Sequence, residues 1–312
     1  MRRLPKLVVI AGTNASGKSG LGVELARRYG GEIVSADSRQ VFRGLDLGSG
    51  KITPEEMRDV PHHLIDICDA GDFFSMADFQ RMAYEAIDGI VARGKLPFLV
   101  GGTGLYVASV ADGYVLSNKM PDLAYREELE RLSTERLYEM LQEAVPATDV
   151  EPKNRNRVMR MLEKLHDGDD VTPGKEPRYH TLRLGVTWER EVLRARIDER
   201  LERRLAEGMI EEVRGLLNAG VSVDFLKKLD STLKAFDLSM KKLGLEYRMI
   251  TQYLLREIET REEMTTLLAN AIKQFAKRQM TWFRRDQSIR WLDMAREPVE
   301  EACGLIDAFL SE

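Results

Sequence analysis

Gly12-Thr13-Asn14-Ala15-Ser16-Gly17-Lys18-Ser19 fits the spacing G-x-x-x-x-G-K-[ST], and its flanks give that spacing meaning. Before it, Lys6 to Ala11 (KLVVIA) reads as a buried strand; after it, Leu21, Leu25 and Tyr29 recur at helical spacing until Gly30-Gly31 stop the helix. A strand, a glycine loop and a helix make a phosphate cradle. The glycines let the backbone wrap close to phosphate oxygens, and the N–H groups at the helix start point inward with the positive end of the dipole. Lys18 adds a mobile cation, and the Ser19 hydroxyl is placed to ligate Mg²⁺. An ordinary glycine-rich turn is the plainer explanation, and length, spacing and flanks together argue against it. A P-loop specifies a phosphate without specifying which bond breaks. The attacked atom is phosphorus if the chain is a kinase or other ATP-binding, nucleotide-binding protein, or carbon if the cradle holds a diphosphate leaving group.

Working outward, Glu32 to Ser35 and Leu64 to Ile67 are short apolar runs expected to be strands. Ser75 and Asp78 form a capping box opening a helix that runs to about Arg93, with Gly94 as its stop. Leu96 to Val100 gives another buried strand, ending in Gly101-Gly102-Thr103-Gly104. This alternation implies an α/β, P-loop NTPase-like parallel sheet flanked by helices, with ligands at the carboxyl ends of the strands. After Gly113 the pattern changes: Pro121 to Ala144 is charged and helical, ending at Pro146. The expected organisation is a P-loop core over 1–117, a helical insertion over 118–150, and a return to the core with a helical C-terminal region over 151–312. Within the last part, Leu182 to Val186 is a candidate strand, and Glu189 to Ala219 and Tyr247 to Arg285 read as long amphipathic helices.

The 312 residues are 43% hydrophobic, enough for a real core, and carry a formal charge of −4. No global basic field draws in nucleic acid, so any such partner must meet a local patch. Cys68 and Cys303 lack metal or redox spacing, the apolar N-terminal run shows no cleavage pattern, and no apolar span reaches about 18 residues. A reduced, cytoplasmic protein with no membrane partner, working as a monomer, is expected.

Asp37, in Ala36-Asp37-Ser38-Arg39-Gln40, follows the second strand, so topology puts it at the same sheet edge as the P-loop. A carboxylate there can act as a base or hold a metal indirectly, or it can merely cap its own turn. Thr103 should face the same crevice and can donate to a phosphate oxygen, unless it only forms the turn. His62 and His63 lack companions at metal-ligand spacing and read as solvated or hydrogen-bonded structural residues. Asp66 is a weak match to a Walker B carboxylate. Lys273 to Arg285 (KQFAKRQMTWFRR) contains no acidic residue. At about 100° per residue, Lys273, Lys277 and Arg284 share a stripe, with Arg278 and Arg285 beside it and Leu268, Ile272, Phe275 and Phe283 opposite. That face either meets phosphates or is simply solvated. Arg155, Arg157 and Arg160 form a second cationic cluster.

Taken together, GTNASGKS, SADSRQVFRGLDLGSGK from Ser35 to Lys51, PHHLID from Pro61, FSMADF from Phe74, LVGGTGLY from Leu99 and KRQMTWFRR from Lys277 resemble the tRNA dimethylallyltransferases over nearly the whole chain. The resemblance implies transfer of the dimethylallyl group of dimethylallyl diphosphate to N6 of the adenosine immediately 3′ of the tRNA anticodon, with release of diphosphate and with Mg²⁺ as cofactor. By motif it implies that Asp37 is the general base, that Gly12 to Ser19 bind the diphosphate, and that Thr103 lies near diphosphate and tRNA. Asp37, Ser38, Arg39, Gln40, Thr103, Arg126, Asn156, Arg157, Arg160, Lys277, Arg278 and Arg284 become candidate tRNA contacts. The chain departs from the pattern at Thr13 and Asn14, where the family usually has Pro and Thr. It departs again at Phe42, which replaces a common Tyr, and around Gly244 to Arg248.

The chemistry suits this assignment. An adenine N6 amine is a poor nucleophile, because its lone pair is delocalised, and needs a base as the C–N bond forms. The departing diphosphate gains charge that Lys18, loop N–H groups and Mg²⁺ stabilise. The stacked base must also be extruded from the anticodon loop. A small-molecule or nucleotide kinase on the same fold is the alternative, and a nucleotide-driven switch a third class.

Overall fold

A computed structural model describes residues 4–116, 122–169, 174–227 and 244–312. β1 (Lys6–Gly12), β2 (Glu32–Ser35), β3 (His62–His63), β4 (Pro97–Gly101), β5 (His180–Thr187) and β6 (Arg290–Asp293) form one sheet in the order β3-β2-β4-β1-β5-β6. Every pairing is parallel. Central β1 pairs with β4 and β5 and is buried on both faces, which is why its sequence is a continuous apolar run. Alternation sends Leu7, Val9 and Ala11 to one face and Val8 and Ile10 to the other.

On the Val8–Ile10 face lie α1 (Lys18–Arg28) and α13 (Pro298–Ser311). The opposite face packs α3 (Met76–Ala92), α4 (Gly104–Ala111), α8 (Arg190–Ala206), α9 (Met209–Asn218), α11 (Leu245–Leu254) and α12 (Arg261–Phe283). There the Phe79 and Tyr106 rings stack at 4.0 Å, joining α3 to α4 under the sheet. The Ser75–Asp78 box is formed in both directions, and Gly94 at φ 70° takes the chain out of α3. The short α2 (Pro54–Met57) and α10 (Val223–Lys227) complete the core helices.

Four expectations are corrected. The third strand is His62–His63, not Leu64 to Ile67, because Leu64 (φ 63°) and Asp66 (φ 55°) turn left-handed and end the ladder. The edge strand β6 is absent from the sequence reading, since RWLD is too short to show alternation. The two long helices are each broken in two, one at Gly208 (φ 103°) and the other after Leu254, with Arg256 at φ 60°. The basic helix ends at Phe283, so Arg284 is its C-cap.

α5 (Leu123–Glu130), α6 (Thr134–Ala144) and α7 (Arg155–His166) share a separate apolar cluster around Leu137, Leu141, Val158 and Leu162. α7 therefore packs with α5 and α6. Arg155 is spent inside this helical layer, donating to the carbonyls of Leu129, Glu130 and Leu132.

Glu32 on β2 is 3% exposed and takes hydrogen bonds from His63 (2.7 Å), Arg93 (2.7 Å) and Lys95 (2.9 Å). Burial raises its pKa, but the hydrogen bonds from Arg93, His63 and Lys95 win and hold it at about 2. His63 is thus a hydrogen-bonded structural residue, as its sequence context suggests. Asp66 pairs with Lys51 on the β3 side of the sheet.

Candidate active site

Three loops meet at the carboxyl edge of β1, β2 and β4. The Asp37 loop and the Gly-Gly-Thr turn are tied directly: Thr103 N donates to Ala36 O (3.2 Å), and Ser38 N donates to Thr103 Oγ1 (3.2 Å). A Cβ on Gly101 would lie 2.1 Å from Ala36 O, so only glycine allows this approach. Asp37 Oδ1 accepts from Arg39 N (3.0 Å), so the turn-capping role weighed from sequence is real. Its second oxygen takes no hydrogen bond among the described residues, and the carboxylate is near enough to favour the charged form of Lys18.

In the cradle, Ala15 (φ 59°) and Gly17 (φ 87°) turn the backbone so that α1 begins with its N–H groups toward the loop. The outward carbonyls are taken by α8 and the chain before it: Trp188 Nε1 donates to Ser16 O (2.9 Å) and Arg196 Nε to Ala15 O (3.1 Å). Ser16 Oγ is buried with no hydrogen-bond partner among the described residues, as suits a donor aimed at an anion. Lys18 Nζ donates to Thr13 O (3.3 Å). Burial is the main influence on Lys18 and lowers it to about 8, against Asp37, which raises it, with Arg200 and Arg204 lowering it further.

A pH dependence follows. Diphosphate favours the charged ammonium, so its affinity is expected to fall as pH rises through about 8, and binding above that pH takes up a proton. Calorimetric titration of inorganic diphosphate at pH 7 and about pH 9, in buffers of different ionisation enthalpy, checks both signs. Affinity independent of pH across that range would exclude Lys18 as the titrating contact.

Several residues here were missed by the sequence reading. Gln279 on α12 is 7% exposed; its Oε1 accepts from Asn14 N (2.9 Å) and its Nε2 donates to Gly102 O (2.8 Å), so one side chain bridges the P-loop and the Thr103 turn. Arg196, Arg200 and Arg204 lie one helical turn apart on α8, a spacing that was legible but sat in a helix dense with charge. Arg200 Nη2 donates to Gly50 O (3.3 Å), and Arg204 is 9% exposed. Burial pushes both arginines down from their usual pKa, Arg204 adding to the effect on Arg200, yet a guanidinium stays protonated at neutral pH. Together with Lys18 they form a cationic wall suited to a diphosphate.

The candidate acceptor-side residues divide. Arg39 is buried and ion-paired with Glu246 at 2.6 Å, and its guanidinium lies 5.8 Å from the Phe275 ring. Arg126 (2.6 Å) and Arg160 (3.3 Å) both engage Glu163, itself 2% exposed, and are structural pairs within the helical layer. Lys273 is held by Asp198 of α8 at 2.6 Å, so it leaves the expected stripe. Gln40 Nε2 donates to Gly50 O (3.2 Å). Asn156 and Arg157 lie on the first turn of α7, Asn156 half-buried and Arg157 exposed.

Lys277, Arg278 and Arg284 are exposed, as the helical stripe predicted. Lys277 and Arg278 border a cleft of about 500 Å³ that opens beside Thr103 and Gly104 and is walled by Phe275 and Trp282. Arg278 lies 5.7 Å from the Phe275 ring and Arg285 5.9 Å from Trp282. Aromatic faces interleaved with cations suit an unstacked base and its backbone phosphates.

The family profile described as IPP transferase matches residues 40–286, and that described as isopentenyl transferase matches residues 5–69. The tRNA dimethylallyltransferase 2 of Syntrophotalea carbinolica is 45% identical over 98% of this chain and 99% of that protein. The tRNA dimethylallyltransferase of an Exiguobacterium species is 43% identical over 96% and 94%. Among solved structures, the tRNA isopentenylpyrophosphate transferase of Bacillus halodurans superposes with a TM-score of 0.72 at 37% identity, covering 98% of this chain and 97% of that one. A eukaryotic dimethylallyltransferase acting on tRNA shares the fold, with a TM-score of 0.79 at 24% identity over 98% and 80%.

Proposed function

Since the chain belongs to the IPP transferase family, we propose that it moves the dimethylallyl group of dimethylallyl diphosphate to N6 of the adenosine 3′-adjacent to the anticodon of tRNA, releasing diphosphate. It is a tRNA prenyltransferase by that membership, and no observation favours the kinase or switch alternatives. The observation that carries the mechanism is the direct hydrogen bonding of the Asp37 loop to the Thr103 turn beside the cradle. Asp37 accepts the N6 proton as the new C–N bond forms, and the allylic C–O bond breaks with its electrons leaving on the diphosphate. Cradle N–H groups, Lys18 and Arg200 stabilise the charge gained there. Gln279 keeps the P-loop and the Thr103 turn in register, and Thr103 ties that turn to the Asp37 loop.

The residues fit Mg²⁺: the Ser19 hydroxyl at the head of α1 is a hard oxygen donor, and this ion takes most of its ligands from phosphate and water. When bound it would supply further neutralisation of the diphosphate.

The test is incubation with dimethylallyl diphosphate, Mg²⁺ and unmodified tRNA carrying adenosine 3′ of the anticodon, read by nucleoside mass. Gain of one dimethylallyl group at that nucleoside supports the proposal; an unaltered adenosine with folded protein ends it. For the docking face, Lys277→Ala with Arg278→Ala is expected to reduce the slope of log affinity for tRNA against log salt by about 1.5, with donor KM unchanged. An unchanged slope would remove this face from the tRNA interface.

No described helix is long and apolar enough to cross a membrane.

A further inference from the structure

The loop from Leu45 to Lys51 takes no part in the chemistry above, yet two side chains from distant helices hold its backbone. The Glu212 carboxylate, on α9, accepts from three successive N–H groups: Asp46 (3.2 Å), Leu47 (2.6 Å) and Gly48 (3.0 Å). It also accepts from the Tyr247 hydroxyl of α11 at 2.7 Å, and that hydroxyl accepts from Ser49 N at 3.2 Å. Tyr247 is fully buried, and a Cβ at Gly48 would sit 2.6 Å from its Cζ, so the loop lies flat on the ring. These charge-assisted bonds to a row of N–H groups add to the segment's own turns, Lys51 N to Asp46 O and Ser49 Oγ to Leu45 O, in fixing it.

What the clamp fixes is the Gly50 carbonyl. Its two lone pairs take Gln40 Nε2 (3.2 Å) and Arg200 Nη2 (3.3 Å). Gln40 continues the Asp37 segment on the acceptor side, and Arg200 belongs to the cationic wall on the donor side. One carbonyl therefore joins the two halves of the site.

We infer that Glu212 and Tyr247 are positioning residues that set the Gly50 carbonyl, and through it hold Gln40 and Arg200 in register for acceptor and donor together. The inference rests on the prenyl-transfer reading. Both act through the Gly50 carbonyl, so their loss acts on binding of both substrates at once.

Glu212→Gln keeps size but turns an amide NH₂ against backbone donors, and Tyr247→Phe removes only the hydroxyl. In each, KM for dimethylallyl diphosphate and KM for tRNA are expected to rise together by about fivefold to tenfold, while kcat falls by less than about threefold. The affinity for inorganic diphosphate alone, by calorimetry, falls by the same factor as the donor KM rises. The double variant is expected to lose less than the product of the two single losses, because Glu212 and Tyr247 share a hydrogen bond and hold one loop. A purely structural role lowers the active fraction, hence kcat, with both KM values unchanged, and that result overturns the inference. A rise in one KM alone overturns the shared carbonyl. If the unaltered protein fails to modify tRNA, the prenyl reading falls instead, and the diphosphate measurement still judges the clamp: lowered affinity in Glu212→Gln supports it, unchanged affinity overturns it.

Discussion

Asp37→Asn is expected to lower single-turnover prenyl transfer by about 10²- to 10⁴-fold while tRNA and donor still bind. The substitution is chosen because Asp37 has two jobs. Its Oδ1 accepts from Arg39 N at 3.0 Å and shapes the turn that Ser38 and Thr103 lock to the neighbouring loop. Asparagine keeps that acceptor and hence the turn, but it cannot take the N6 proton. Asp37→Ala removes both functions and should add a loss of stability of about 1 kcal/mol from the lost hydrogen bond. Measured by nucleoside mass after a single turnover, a loss of less than about tenfold in Asp37→Asn would assign the carboxylate to the turn alone and send the search for the base elsewhere.

Lys18→Met is expected to move activity and stability in opposite directions. Turnover should fall by about 10²- to 10³-fold, with donor affinity reduced, because the cation facing the departing diphosphate is gone. Stability at neutral pH should hold or rise. Burial has lowered Lys18 to about 8 from 10.5, so the folded state disfavours its charge relative to the unfolded chain. That destabilisation is complete below pH 8 and is relieved as pH rises from about 8 toward 10.5, where the unfolded lysine also loses its proton. The unaltered protein should therefore gain stability against pH across that window relative to Lys18→Met. Thermal melts at pH 7 and about pH 9.5 read the difference. If Lys18→Met is destabilised at neutral pH and the gap does not change with pH, the lysine is a structural member of the loop.

Legibility differed between elements for physical reasons. β1 could be read because a strand buried on both faces is apolar throughout, and α3 because its cap is a local exchange between Ser75 and Asp78. β6 could not, since four residues at a sheet edge gain their strand character from pairing with β5. Leu64 to Ile67 looked like a strand by composition, but the left-handed Leu64 and Asp66 are set by Lys51 and by the Gln40–Val41 carbonyls that receive Asp66 and Ile67 N–H groups. The arginines show the same limit in the site. A charge in the sequence suggests a surface contact, whereas Arg39, Arg126 and Arg160 are spent on buried carboxylates that lie 207 residues away for Arg39 and 37 for Arg126.

The sequence by itself determined the cradle, the parallel sheet around it, the carboxylate at the same edge and the family to which these belong. Each of those rests on short-range spacing: a glycine loop between strand and helix, an acid after the next strand, and linked motifs along the chain. Only the tertiary structure decided which side chains complete the site. Gln279 reaches Asn14 across 265 residues and Gly102 across 177, and Glu212 reaches Leu47 across 165. Such contacts have no local period, because they depend on where packing delivers a side chain, and burial sets both the protonation of Lys18 and the partners of Arg39.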